Sequence, residues 1–140
     1  MIQSIIDGII KAIRTEYDRS FRIYTESVEQ GLKEPCFSVL CLTGSDEQEF
    51  GSRRNREHLF NITYFPSTNE PILECLNVKE KLFDLLNMIE ADTSILRGAN
   101  MNGEIVDGVL QFHVTYSFSL LKVNDENYME NIEVTTNGKE

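Results

Sequence analysis

The sequence predicts an α+β fold, a single domain with one mainly antiparallel, twisted sheet packed against two helices. Three observations carry that prediction. Ile2, Ile5, Ile6, Ile9, Ile10 and Ile13 recur at helical spacing at the start of the chain. Near its end, Leu110, Phe112, Val114, Tyr116, Phe118 and Leu120 alternate with Gln111, His113, Thr115, Ser117 and Ser119. Between them, a second helical pattern is flanked by shorter alternating segments, so the order is helix, strands, helix, strands.

The isoleucine spacing places an amphipathic helix over residues 2–18, with Tyr17 on its stripe and Gln3, Asp7, Lys11 and Arg14 off it. Gly8 either weakens this helix by about 1 kcal/mol relative to alanine or marks a close approach. Phe21 to Tyr24 alternates as a short strand, and Ser27 to Glu34 connect onward with a turn at Gly31. Pro35 opens a second strand, Cys36 to Leu42, in which Phe37, Val39 and Cys41 share a face, and Thr43-Gly44-Ser45 ends it. A third strand runs from Glu57 to Phe65 with Phe60, Ile62 and Tyr64 on one face, so the polar residues 44–56 read as the long tip of an antiparallel hairpin.

Pro66 to Asn69 is a loop, and a helix follows over residues 70–90 with Asn69 as its N-cap and Pro71 in its first turn. Ile72, Leu76, Phe83, Leu86 and Ile89 are expected on its buried face, widened by Leu73, Leu82 and Leu85. Ile95 to Arg97 is a short extended piece. The final hairpin joins Met101–Val106 to Val109–Leu121 through Asp107-Gly108, a dipeptide favoured where both central residues need positive φ. Its strict period of two predicts one buried face and one polar face. Residues 1–123 are expected to form the domain. The acidic segment 124–140 carries Tyr128, Met129, Ile132 and Val134 as its apolar content and reads as a disordered tail or an intersubunit arm.

The chemistry-bearing residues are sparse. With 140 residues the chain matches one domain of about 100–150 residues. Lys and Arg number 13 against 23 Asp and Glu, a net charge of −10, which argues against general nucleic-acid binding, sequence-specific binding included, and against anionic membranes. No run approaches the ~20 apolar residues of a membrane span, and the first residues lack the basic start of a signal peptide. Cys36, Cys41 and Cys75 lack metal-ligand spacing, and a strand places Cys36 and Cys41 on opposite faces, so reduced thiols are expected. His58 and His113 belong to no ligand pattern. No glycine-rich turn supports a Cys–His nucleophile, Gly98 to Gly103 lacks the lysine of a phosphate loop, and the Asn61-Ile62-Thr63 sequon lies inside a strand. No catalytic residue, metal or cofactor is expected.

What remains is contact surface. The polar face of the last strand suits water or another subunit. Within residues 44–56, Asp46, Glu47 and Glu49 precede Arg53, Arg54 and Arg56, and Phe50 stands apolar among charges. Those arginines suit bidentate bonds to carboxylates on a partner, where the plain alternative is a solvated hairpin tip.

The isoleucine-rich helix leads to Ile23-Tyr24, then to Glu29-Gln30-Gly31-Leu32-Lys33-Glu34-Pro35-Cys36-Phe37. Gly44-Ser45, the Arg53-Arg54-Asn55-Arg56 run, His58 to Pro66 and the Leu82 to Ile89 segment follow. Leu96-Arg97-Gly98-Ala99-Asn100-Met101 and Glu104 to Phe112 complete the series over residues 1–121. In this order the segments resemble the phage tail terminator family, in the branch found in Gram-positive phages and phage-like particles. The resemblance implies a structural protein without enzymatic activity. It would form a homo-oligomeric ring, typically a hexamer, that caps the tail tube protein, stops polymerisation and joins a head connector, sheath or cap protein. It places the chain in a virion tail or phage-like particle assembled in the bacterial cytoplasm, with DNA able to pass through the lumen. Phe50, Arg53, Arg54 and Arg56 become a tube- or lumen-contact loop, and Tyr128, Met129, Ile132 and Val134 an arm on the adjacent subunit. The alternatives are a head–tail connector or completion ring and, from another class, a small host ligand-binding or thiol enzyme domain.

Overall fold

The computed structural model describes residues 2–26, 32–48 and 53–121. Its elements are α1 (Ile2–Arg14), β1 (Arg22–Tyr24), β2 (Cys36–Gln48), β3 (Arg53–Phe65), α2 (Pro71–Leu85), β4 (Met88–Ala91), β5 (Ser94–Val106) and β6 (Val109–Leu121). The six strands form one sheet in the order β1-β2-β3-β6-β5-β4. β1 pairs parallel with β2, Arg22 opposite Cys36, whereas β4–β5 and β5–β6 are antiparallel. The short link between β2 and β3 allows only an antiparallel return, because a parallel crossover needs a dozen or more residues. Contacts of Thr63 with Gln111 and of Phe60 with Tyr116 run in opposite chain sense along β3 and β6. The expected α+β domain is therefore present, with β1 as the parallel exception.

The described residues divide into two units, one of residues 2–44 with 57–117 and one that takes residues 45–56 and the end of β6 from Phe118. The core belongs to the first. Ile5, Ile9 and Ile13 of α1 and Cys75, Val78 and Leu82 of α2 are buried, as are Phe37, Val39, Phe60, Ile62, Tyr64, Leu110, Phe112, Val114 and Tyr116 of the sheet. The period of two in β6 up to Tyr116 is thus satisfied by burial. Tyr17, Phe21, Phe37 and Tyr64 form an aromatic cluster at one end, with Phe37 and Tyr64 centroids 4.8 Å apart. At the other end, α1 lies against the edge strand β4. A Cβ on Gly8 would fall 2.3 Å from the Glu90 carbonyl oxygen, so only glycine permits this approach. Lys11 Nζ donates to Glu90 Oε1 at 2.6 Å beside it. Covering an edge strand with a helix also blocks edge-to-edge pairing.

The Asp107-Gly108 turn behaves as its composition predicts, with φ of 53° and 75°. Other boundaries differ from expectation. α1 stops at Arg14, where Arg14 Nη1 donates to the Asp18 and Phe21 carbonyls and Asp18 accepts from the amide and hydroxyl of Ser20, folding residues 15–21 into turns. β2 and β3 run on to Gln48 and back from Arg53, so much of the predicted hairpin tip is strand.

α2 ends at Leu85 rather than at residue 90, and Met88–Ala91 is a strand. The carbonyls that would continue the helix are taken by the sheet: Tyr116 Oη donates to Leu86 O at 2.7 Å, and Gly98 N donates to Asn87 O at 2.8 Å. The N-cap position is Glu70, not Asn69. The buried face of α2 is Cys75, Val78 and Leu82, so Ile72, Leu73 and Leu76 point outward, against expectation. Cys75 Sγ contacts the Gly108 carbonyl, so this face of α2 docks on the final turn. β5 extends well beyond the short piece expected, with a register shift between Ala99 and Asn102 and Asn100 at φ 52°.

Glu74 anchors the loop before α2. Its carboxylate accepts from the Tyr64 hydroxyl and from the Ser67 and Thr68 amides. Burial opposes its ionisation, but hydrogen bonds from Thr68, Tyr64 and Ser67 outweigh that and hold its carboxyl below the usual 4.5. A depressed folded-state value contributes stability above the ordinary carboxylate range, and that contribution is lost as pH falls through the folded value. Glu74→Gln should therefore melt below the wild type at pH 7, with the gap closing as pH drops below 4.5. A gap in melting temperature that stays constant down to pH about 3 would remove the carboxylate from the account.

Candidate interaction surfaces

The distal ends of β2 and β3 carry the charged residues singled out in the sequence. Arg54 and Arg56 are two apart on β3, hence on one face. Both approach Asp46 Oδ2 of β2, each at 3.5 Å. That distance gives an ionic contact too long for a good hydrogen bond. Arg56 Nε has no hydrogen-bond partner among the described residues. All three side chains keep between 36 and 43% of their surface exposed, so the pairs orient the guanidinium groups without sealing them from solvent. Arg53 begins β3, and Phe50 lies outside the described residues. Tyr128, Met129, Ile132 and Val134 lie outside them as well.

A second surface was not singled out in the sequence beyond its polarity. On the sheet face away from the helices, Asn61 Nδ2 donates to Thr63 Oγ1 at 3.1 Å and to Gln111 Oε1 at 3.2 Å. Thr63 Oγ1 donates to the same Gln111 oxygen at 3.2 Å. The cluster lines a shallow hollow of about 300 Å³ together with Ser38, Leu40 and Phe65. Asn61 Oδ1 is buried with no partner among the described residues, a state that leaves the cost of its desolvation uncompensated. The period of two announced a polar face. The clustering needed β3 and β6 to be neighbours, which no local pattern encodes.

Large apolar side chains also stand in solvent: Ile72, Leu73 and Leu76 on α2, Met88 on β4 and Ile95 on β5. His58 packs edge-on to Phe60 with centroids 6.4 Å apart, and His113 pairs with Asn102. Among the described residues no cluster of His, Cys, Asp and Glu could hold a metal. Burial pushes the thiols of Cys36, Cys41 and Cys75 upward, with Glu34 adding to the effect at Cys36 and Glu74 at Cys75. Such thiols stay protonated at neutral pH, the opposite of an activated nucleophile.

The described residues thus present an ion-paired ribbon end, a polar hollow and apolar patches at the surface. A family model described as phage tail terminator protein matches residues 4–128. The chain belongs to the phage tail terminator family. The terminator family is structural, and its members are components of the virion tail that interact with other tail or head proteins. No curated protein matches this terminator. Among the described residues, none of the terminator's helices is long and apolar enough to cross a membrane.

Proposed function

We propose that this terminator caps the tail tube as a homo-oligomeric ring, a hexamer, halts tube polymerisation and offers its other face to a head connector or particle cap. The observation that carries the reading is the family match over residues 4–128. The exposed polar and apolar surfaces fit a protein whose work is contact. In this reading the protein is not an enzyme and needs no cofactor. It is assembled in the host cytoplasm, and its lumen lets DNA pass without reading sequence. Tubes assembled without the protein should overrun their normal length in electron micrographs. Tubes of normal length that fail only to join heads would assign the chain to the connector instead.

The ribbon end is the proposed tube- or lumen-contact element, with Phe50, Arg53, Arg54 and Arg56 as its contacts. Arg54 and Arg56, each in a long ionic contact with Asp46, can exchange it for carboxylates on the tube. Replacing Arg53, Arg54 and Arg56 with glutamate should lengthen and broaden the distribution of tail lengths. Unchanged tail lengths with the triple variant would remove the ribbon from the contact.

Residues 124–140 are the proposed intersubunit arm, anchored on the neighbour by Tyr128, Met129, Ile132 and Val134, with residues 1–123 as the domain. A chain truncated after Val123 should assemble into a weaker ring, read as a lower mass by light scattering at matched concentration. Equal masses for truncated and full-length protein would rule the arm out.

A further inference from the structure

We infer that copies of the terminator meet head to tail, with the exposed start of α2 in one copy seated on the outer face of β4 and β5 in the next. The inference rests on the ring reading and names the surfaces that build the ring.

The first surface is apolar and bracketed by acids. Burial of Cys75, Val78 and Leu82 turns Ile72, Leu73 and Leu76 outward, 59, 52 and 44% exposed. Glu70, Leu73, Asn77 and Glu80 follow helical spacing on that outward side, so a carboxylate stands at each end of the patch. The basic residues of α2 do not neutralise them: Lys81 pairs with Glu16 at 3.3 Å, and the Lys79 stem lies against Gly103.

The second surface is apolar and carries a cation. Met88 is opposite Arg97 and Glu90 opposite Ile95 in the β4–β5 register. Ile89, Ala91 and Leu96 are buried on the core face, so alternation puts Ile95 and Arg97 together on the outer one. Met88 is 50% and Ile95 68% exposed. Glu90 is already paired with Lys11, so among the described residues the Arg97 guanidinium is the charge of this patch that no ion pair compensates.

The two patches complement each other in sign and share an apolar centre, the arrangement expected of an interface with a charged rim. They also look in different directions. α2 packs on the core face of the sheet, where Phe83 meets Phe112, whereas alternation sets Ile95 and Arg97 on the opposite face and Met88 sits at the β4 edge, in a hollow it shares with Ala12, Thr15 and Leu85. Two α2 patches facing each other across a two-fold axis would set acids against acids. A contact between unlike patches on opposite faces is heterologous, and such contacts close into a ring when the rotation between copies allows.

Disulfide trapping tests the contact in the full-length chain. Leu73→Cys and Ile95→Cys are combined, with Cys41→Ser removing the half-exposed native thiol. Under mild oxidation the double variant should give a ladder of linked copies on a non-reducing gel, and each single variant should stay monomeric. All positions are at the surface, and thermal melts confirm folding of each variant. No ladder from the double variant, or dimers from Leu73→Cys alone, would overturn the proposed contact. The mass of the wild type separates the two readings. A multiple of 16.1 kDa without a ladder keeps the ring and rejects these surfaces, whereas 16.1 kDa on and off the tube rejects the ring itself.

Discussion

Phe112→Ala is expected to remove about 3–5 kcal/mol of folding stability. Phe112 is fully buried in β6, and its ring meets that of Phe83 edge-on with centroids 5.2 Å apart. The neighbours cannot easily close the space. A Cβ on Gly103 would already lie 3.1 Å from the Phe112 ring, so the β5 backbone is at contact distance on one side. Phe112 also pairs with Gly103 in the ladder, and that register holds the backbone in place. The loss is large against the roughly 5–15 kcal/mol that stabilise an ordinary domain. Urea denaturation should show a lower midpoint with an unchanged slope, because the surface exposed on unfolding stays about the same. A loss below about 1 kcal/mol would mean that the site collapses around the smaller side chain.

Gly8→Ala is the second. In an isolated helix this change stabilises by about 1 kcal/mol. Here the added methyl would sit 2.3 Å from the Glu90 carbonyl oxygen, well inside van der Waals contact. The obstacle is backbone, so relief requires α1 or β4 to move. Overpacking of this kind costs about 1–3 kcal/mol and occasionally more, which outweighs the helical gain. We expect a net loss of up to about 2 kcal/mol. Movement of α1 should also weaken the 2.6 Å Lys11–Glu90 pair, although that exposed pair contributes little by itself. Thermal melts of the two proteins check the sign. A variant more stable than the wild type would show that α1 does not rest on β4.

Both substituted residues lie on elements that local pattern announced. One face of β6 is buried from Leu110 to Tyr116, and a half-buried strand cannot hide its period of two. Ile5, Ile9 and Ile13 mark α1 for the same reason at a period of 3.6. α2 was harder because apolar residues surround its first half. Ile72, Leu73, Cys75 and Leu76 allow more than one rotation, and the fold takes the one that docks Cys75 beside Gly108. β4 was missed because Leu85, Leu86, Met88 and Ile89 satisfy helical and strand spacing alike. The choice depends on Tyr116 and Gly98, which reach the Leu86 and Asn87 carbonyls from elsewhere in the chain. The parallel direction of β1 was illegible, since a three-residue strand carries no signal of its partner's sense.

For the interaction surfaces, residue type was legible and partnership was not. The arginine run stands out in sequence, but its pairing with Asp46 needs the β2–β3 register. Gln111 reads as one more polar residue on an alternating strand. Its contacts with Asn61 and Thr63 span 50 and 48 residues. The outward patch on α2 was hidden by the same rotational ambiguity that obscured its buried face.

The closeness of α1 to β4 has a consequence for synthesis. Lys11 and Glu90 are 79 residues apart, and both belong to one packed junction. Ribosomes extend chains at about 5–20 residues per second, so the docking strand is completed roughly 4–16 s after the helix. Throughout that interval Ile5, Ile9 and Ile13, fully buried in the finished fold, have no β4 to rest against. The helix must wait for β4, and until then the side that carries Gly8 lacks its final cover.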